Sequence, residues 1–129
     1  MTDKKKLIIG SRGSKLSLAY SNHVKNLLIK SNPQFDSSSI DIKIIKTSGD
    51  IFQNKRISDI GGKGVFCKQI EDELLDSKIN LAVHSLKDLP TIMTEGLCVN
   101  ALVKRNDPRD AFLSYSSKSF NDLKPQSKI

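Results

Sequence analysis

The sequence predicts an α/β fold, a mostly parallel sheet with flanking helices, and three observations carry that expectation. Short runs of aliphatic and β-branched residues alternate with segments whose apolar residues recur every three or four positions, the pattern of strands interleaved with helices. Each run is followed by a stretch rich in Gly, Ser or charged residues, as connections between buried elements are. The length, 129 residues, is one domain's worth of chain, enough to bury about two-thirds of the unfolded surface.

Leu7-Ile8-Ile9 closed by Gly10 reads as a buried first strand, and Ser14 stands as an N-cap ahead of a helix over Lys15 to Lys30. In that helix Leu16, Tyr20, His23 or Val24, and Leu27 form the expected inner stripe, with Lys15, Asn22, Lys25 and Asn26 outside. Ser31-Asn32-Pro33 ends it, and Ile40, Ile42, Ile44 and Ile45 alternating with Asp41 and Lys43 make a second strand. Ser48 to Lys63, polar and glycine-containing, reads as a long loop. From Val65 to about Asp76 the spacing of Phe66, Ile70 and Leu74 predicts a helix that turns Glu71, Asp72 and Glu73 outward. Ile79 to Val83 is a third strand, Leu86 to Thr91 a turn with Pro90, and Leu97 to Val103 a fourth apolar run read as a strand. The stretch from Ser114 to Ile129 is polar and rich in Ser and Lys.

Composition narrows the function classes. The net charge is +7, from 21 basic and 14 acidic residues, which raises the question of nucleic acid. The basic residues are mostly Lys spread over the chain, the only run is Lys4 to Lys6, and Trp is absent, so stacking platforms are missing. The excess charge is better matched to an anionic small molecule. No stretch of about 18 apolar residues is present to span a bilayer, and Met1 to Lys6 lead into no cleavage site. A cytoplasmic protein without membrane or nucleic-acid partners is therefore expected. Cys67 and Cys98 are too few for a disulfide framework, and the two histidines are too distant for zinc spacing. No metal site is expected.

In a parallel α/β sheet ligands collect beyond the carboxyl ends of the strands, so the segments after the apolar runs are the candidate site. Gly10-Ser11-Arg12-Gly13-Ser14 places a forked cation and free helix N–H groups together, an anion cradle in outline. Gly61-Gly62-Lys63-Gly64 puts a cation at a helix start, where the helix dipole favours an anion. A bound anion would resolve that conflict. His84-Ser85-Leu86-Lys87-Asp88-Leu89-Pro90 packs imidazole, hydroxyl, ammonium and carboxylate into five residues. Neighbouring side chains at a strand end point to opposite sides, and no Gly-x-Ser-x-Gly elbow surrounds Ser85, which argues against a hydrolase dyad. Asp88, near several cations, suits stabilising positive charge that develops in a substrate. These residues alone leave open a stand-alone module that binds a small anion without chemistry.

Five motifs stand in order: Ser11-Arg12-Gly13-Ser14-Lys15-Leu16, Thr47-Ser48-Gly49-Asp50, Gly61-Gly62-Lys63-Gly64-Val65-Phe66, Ala82 to Pro90, and Arg105-Asn106-Asp107-Pro108-Arg109-Asp110-Ala111-Phe112. Together they closely resemble the porphobilinogen deaminase (hydroxymethylbilane synthase) family, from Leu7 to about Ile129. The resemblance implies three α/β domains, the first two like type II periplasmic binding proteins, and a dipyrromethane cofactor held through a thioether to a cysteine of the third. It implies a monomeric cytoplasmic transferase that deaminates porphobilinogen, adds successive units to the cofactor and releases the linear tetrapyrrole by hydrolysis. Asp88 matches the catalytic aspartate, which would contact the pyrrole nitrogens and stabilise the cationic methylene-pyrrolenine left when ammonia departs. Arg12, Ser14 and Lys87 match positions that bind the acetate and propionate groups of cofactor and substrate; Ser85 is carried over with them, and Lys63 lies in the glycine-rich loop beside that cleft.

Set against the family, residues 1–103 are expected to be a first α/β domain that is incomplete, and 104–129 the crossover and the opening of a second. Cys67 and Cys98 do not match the cofactor cysteine, which is expected outside this chain, so the chain is expected to be the amino-terminal part of a longer enzyme, inactive alone. Two positions depart from the family: Asp59 stands before the glycine-rich loop where relatives carry a cation, and Tyr20 where some have Gln.

Overall fold

The computed structural model describes residues 6–51, 64–115 and 119–128. Its ordered elements are β1 (Leu7–Ser11), α1 (Lys15–Ser31), β2 (Ile40–Ile44), α2 (Ser48–Ile51), α3 (Lys68–Leu75) and β3 (Leu81–Ala82). The sheet order is β2-β1-β3, and both pairings are parallel, with Leu7 opposite Ile40 and Ile9 opposite both Ile42 and Leu81. The α/β expectation holds. Right-handed crossovers that leave and recross a central strand in opposite directions put their helices on opposite faces: α1 packs on β1 and β2, α3 on β1 and β3.

On the α3 face, Ile45, Ile70 and Ile79 form the core, joined by Ile8, Leu74 and Ala82. Gly10 is what lets them close over β1, because a Cβ there would stand 2.3 Å from Ile79 Cδ1 and 3.2 Å from Ile45 Cδ1. The β1–β3 ladder extends past the two formal residues of β3. Ile8 N donates to Asn80 Oδ1 at 2.8 Å, Asn80 N to the Ile8 carbonyl at 2.9 Å, and Val83 N to the Gly10 carbonyl at 3.3 Å.

Helix α1 has the expected ends. Ser14 Oγ accepts from Ser17 N at 3.2 Å, and Asn32 closes the other end on the Leu28 carbonyl. Its inner face matches the expected stripe only at Val24. Leu16 is 60% exposed, with Tyr20 and Leu27 also outside, whereas Ser21 is fully buried and Ser17, Val24, Lys25 and Leu28 are partly covered. The small Ser21 lets the helix approach the sheet, and Lys25 lays its stem inward so that Nζ donates to the Ile40 carbonyl. In β2, Ile40 is buried but Ile44 is 56% exposed, and the chain turns Ile45 into the core instead.

Three further expectations are corrected. The stretch read as loop from Ser48 opens with the short helix α2, because Thr47 and Asp50 form a reciprocal cap: Asp50 N donates to Thr47 Oγ1 at 3.3 Å, and Thr47 N to Asp50 Oδ2 at 3.2 Å. Glu71, read as outward, is half-buried, and its Oε2 accepts from Thr94 Oγ1 at 2.8 Å; Glu73 takes Lys43. Leu97 to Val103 is not a strand, since no described strand lies alongside to share a ladder, and Leu102 is 79% exposed. The turn at Leu86 to Thr91 opens as a 3₁₀ turn over Leu86–Asp88. Among the described residues no helix is long and apolar enough to cross a membrane.

Candidate active site

Parallel pairing puts the carboxyl ends of the three strands on one edge, at Ser11, Ile44 and Ala82. Arg12 follows β1, Thr47 to Asp50 follow β2, and His84 to Asp88 follow β3. Residues far apart in sequence therefore meet where the topology predicts a ligand crevice.

Arg12 is held rather than free. Its Nε donates to Asp50 Oδ1 at 3.2 Å and Oδ2 at 3.3 Å, and Nη2 to Oδ1 at 2.6 Å, each side chain being 21% exposed. The guanidinium carbon lies 4.0 Å from the centroid of the Phe66 ring, a cation–π contact on the same group. Burial pushes the Asp50 pKa up, but hydrogen bonds from Arg12, the Thr47 hydroxyl and the Thr47 backbone, with the Arg12 charge, outweigh it and hold the carboxyl below its ordinary range. Phe66 can lie against Arg12 because residue 49 is glycine: a Cβ there would fall 2.0 Å from Phe66 Cε1.

Beside Phe66, Cys67 is fully buried, and its thiol donates to the Asp88 backbone carbonyl at 2.8 Å, with His84 Nδ1 3.9 Å from the sulfur. Burial, then the charges of Glu71 and Asp88, push this thiol up to about 11 against the opposing effect of Arg12. Burial likewise lowers the His84 pKa, outweighing the Asp88 and Glu71 carboxylates that raise it, so the imidazole is neutral at pH 7. His84 Nε2 and Glu71 Oε1 are buried without a hydrogen-bond partner among the described residues.

Of the residues singled out from sequence, Arg12 and Asp88 both follow strand ends on this edge, and Ser85 and Lys87 precede Asp88 at the cap and within the 3₁₀ turn, Ser85 half-buried and Lys87 exposed. Ser14 is at the same edge, with its hydroxyl engaged in capping α1. Lys63 and Asp59 lie outside the described residues. Tyr20 is an exposed residue of α1. Sequence reasoning missed Asp50, Phe66 and Cys67 as parts of this edge. The Thr-x-x-Asp spacing of Thr47 and Asp50 was the available signal for the first; nothing local marks the other two.

The fold and site define a class: an α/β chain that gathers a cation and a carboxylate beyond the ends of parallel strands, with hydrogen-bonding capacity left unspent beside them. The sequence narrows the class. Residues 7–129 match the family described as "Porphobilinogen deaminase, dipyromethane cofactor binding domain", and the chain belongs to it. The chain is 47% identical over 123 residues to the porphobilinogen deaminase of Syntrophomonas wolfei, covering 95% of this chain and 39% of that protein. It is 47% identical over 110 residues to that of Sulfurimonas denitrificans, covering 85% and 34%, and 43% identical over 126 residues to that of Chlorobaculum tepidum, covering 98% and 39%. The chain thus spans well under half the length of the curated relatives it matches.

Proposed function

We propose that the polypeptide to which this chain belongs deaminates porphobilinogen and joins the units into the linear tetrapyrrole hydroxymethylbilane, a transferase reaction of heme and tetrapyrrole biosynthesis. The observation that carries this reading is that Arg12, anchored by Asp50 and Phe66, and the turn bearing Asp88, anchored through its backbone by Cys67, both follow strand ends on the carboxyl edge of the sheet. A substrate bearing carboxylates needs cations at its rim and one carboxylate at the reacting centre, and this edge offers that set.

The residues fit a dipyrromethane. The group carries acetate and propionate side chains together with pyrrole N–H donors; Arg12, Ser14, Lys63 and Lys87 would hold the former, and Asp88 would accept from the latter. Glu71 Oε1 and His84 Nε2, buried without a hydrogen-bond partner among the described residues, add polar capacity that a ligand or its water would use. When bound, the group supplies the primer on which units are joined, and its cysteine anchor lies outside this chain. Asp50 occupies Arg12 Nε and Nη2, so the other amino group of Arg12 would meet a ligand carboxylate. Asp88 would stabilise positive charge as ammonia leaves the substrate and take part in the accompanying proton transfers. Ser85 would contribute a hydroxyl at the start of the same turn.

On this reading residues 1–103 are the larger part of a first domain of the type II periplasmic-binding-protein kind, and 104–129 cross into a second. The protein would be a cytoplasmic monomer acting on a small molecule, with no membrane or nucleic-acid partner. The test is ammonia release from porphobilinogen by the polypeptide of the relatives' length, which is expected to proceed, while the 129-residue chain alone is expected to release none. Binding of a small carboxylate without ammonia release from the longer polypeptide would overturn the reading in favour of an anion-binding module.

A further inference from the structure

We infer that Cys67 is a positioning residue for Asp88, an inference that rests on the reading of Asp88 given above. Asp88 is carried by a 3₁₀ turn of three residues, closed internally by Asp88 N to the Ser85 carbonyl at 2.9 Å and Leu89 N to the Leu86 carbonyl at 3.2 Å. So short a turn does not fix its own orientation against the sheet. The Cys67 thiol does so, by donating to the Asp88 carbonyl at 2.8 Å from a fully buried position.

Cys67 is itself tied in by backbone hydrogen bonds. Its N–H donates to the Gly64 carbonyl at 3.0 Å, and its carbonyl accepts from Ile70 N and Glu71 N at 2.9 Å, so the residue is built into the first turn of α3 although its side chain caps nothing there. The thiol stays protonated throughout the neutral range, held up by burial with Glu71 and Asp88 against Arg12, and is therefore a constant donor. His84 approaches the sulfur from β3's own connection, 3.9 Å away. Since Phe66 lies against Arg12, the dipeptide Phe66-Cys67 touches both the candidate cation and the turn bearing the candidate carboxylate. It sets their spacing from one rigid point.

The experiment compares Cys67→Ser, which keeps a donor, with Cys67→Val and Cys67→Ala, which remove it at larger and smaller volume, in the polypeptide of the relatives' length. Steady-state ammonia release from porphobilinogen and thermal unfolding are measured for each, with Asp88→Asn alongside. Loss of the donor is expected to lower kcat about tenfold in both Val and Ala variants, with KM changed less than about twofold and kcat recovered by Ser. A kcat that follows side-chain volume or the unfolding midpoint, or that does not change, overturns the inference while Asp88→Asn still abolishes turnover. Unchanged turnover in Asp88→Asn overturns the underlying reading, and the inference with it.

Discussion

Replacing Asp50 by Asn leaves the shape of the Arg12 site nearly intact and removes its charge. The wild-type carboxylate accepts from Arg12 Nε and Nη2, from Thr47 Oγ1 at 2.7 Å and from Thr47 N at 3.2 Å. Hydrogen bonds to a charged group contribute about 1.5–3 kcal/mol, and stranding one member of a fully buried pair costs about 3–5 kcal/mol. Both side chains here are 21% exposed, and the amide keeps one acceptor, so the lower range applies: a loss of about 2 kcal/mol at pH 7. With a urea slope of about 2 kcal/mol per molar, the unfolding midpoint falls by about 1 M. The sign of the pH dependence follows from the depressed Asp50 pKa. Its stabilisation is full above the ordinary value of 3.8 and is lost as pH falls through the lower folded value. The gap between wild type and variant therefore closes in acid. A midpoint change worth less than about 0.5 kcal/mol at pH 7, or a gap undiminished well below the carboxylate range, would refute the reasoning.

Two further outcomes test neighbouring parts of the site. Gly49→Ala drives a Cβ to 2.0 Å from the Phe66 ring and is expected to cost about 1–3 kcal/mol by denaturant unfolding; adding Phe66→Leu should return part of it, and strict additivity would contradict the packing account. Iodoacetamide at pH 8 should modify the exposed Cys98 well before Cys67, which is buried and has a thiol pKa of about 11, so peptide mass spectrometry showing equal rates would count against the thiol's placement.

What was legible in the sequence is what periodicity and connection chemistry encode. The bounds of α1 follow from Ser14 as a cap and Asn32-Pro33 as a stop, and the parallel sheet follows from the alternation of elements, which in turn places Arg12 and Asp88 on one edge. The inner face of α1 does not follow its apolar stripe: Leu16, Tyr20 and Leu27 stay outside and only Val24 is partly covered, because close approach to the sheet selects Ser21 for its size. The Leu97 to Val103 run has strand composition, but a strand exists only beside a partner, and composition is silent on that. At the site, residue types revealed which groups could bind an anion, while the Asp50 carboxylate that orients Arg12 and the Cys67 thiol under Asp88 are tertiary contacts spanning 38 and 21 positions. No local pattern carries them.

The central claim is that Asp88 supports the departure of ammonia, and it is tested most directly by the first-turnover rate of ammonia release from porphobilinogen by the polypeptide of the relatives' length, wild type against Asp88→Asn. The account predicts that the variant folds with an unfolding midpoint close to wild type and loses at least about a hundredfold in that rate, the size expected for removal of one preorganised charge-stabilising group. A variant that releases ammonia at the wild-type rate would contradict it.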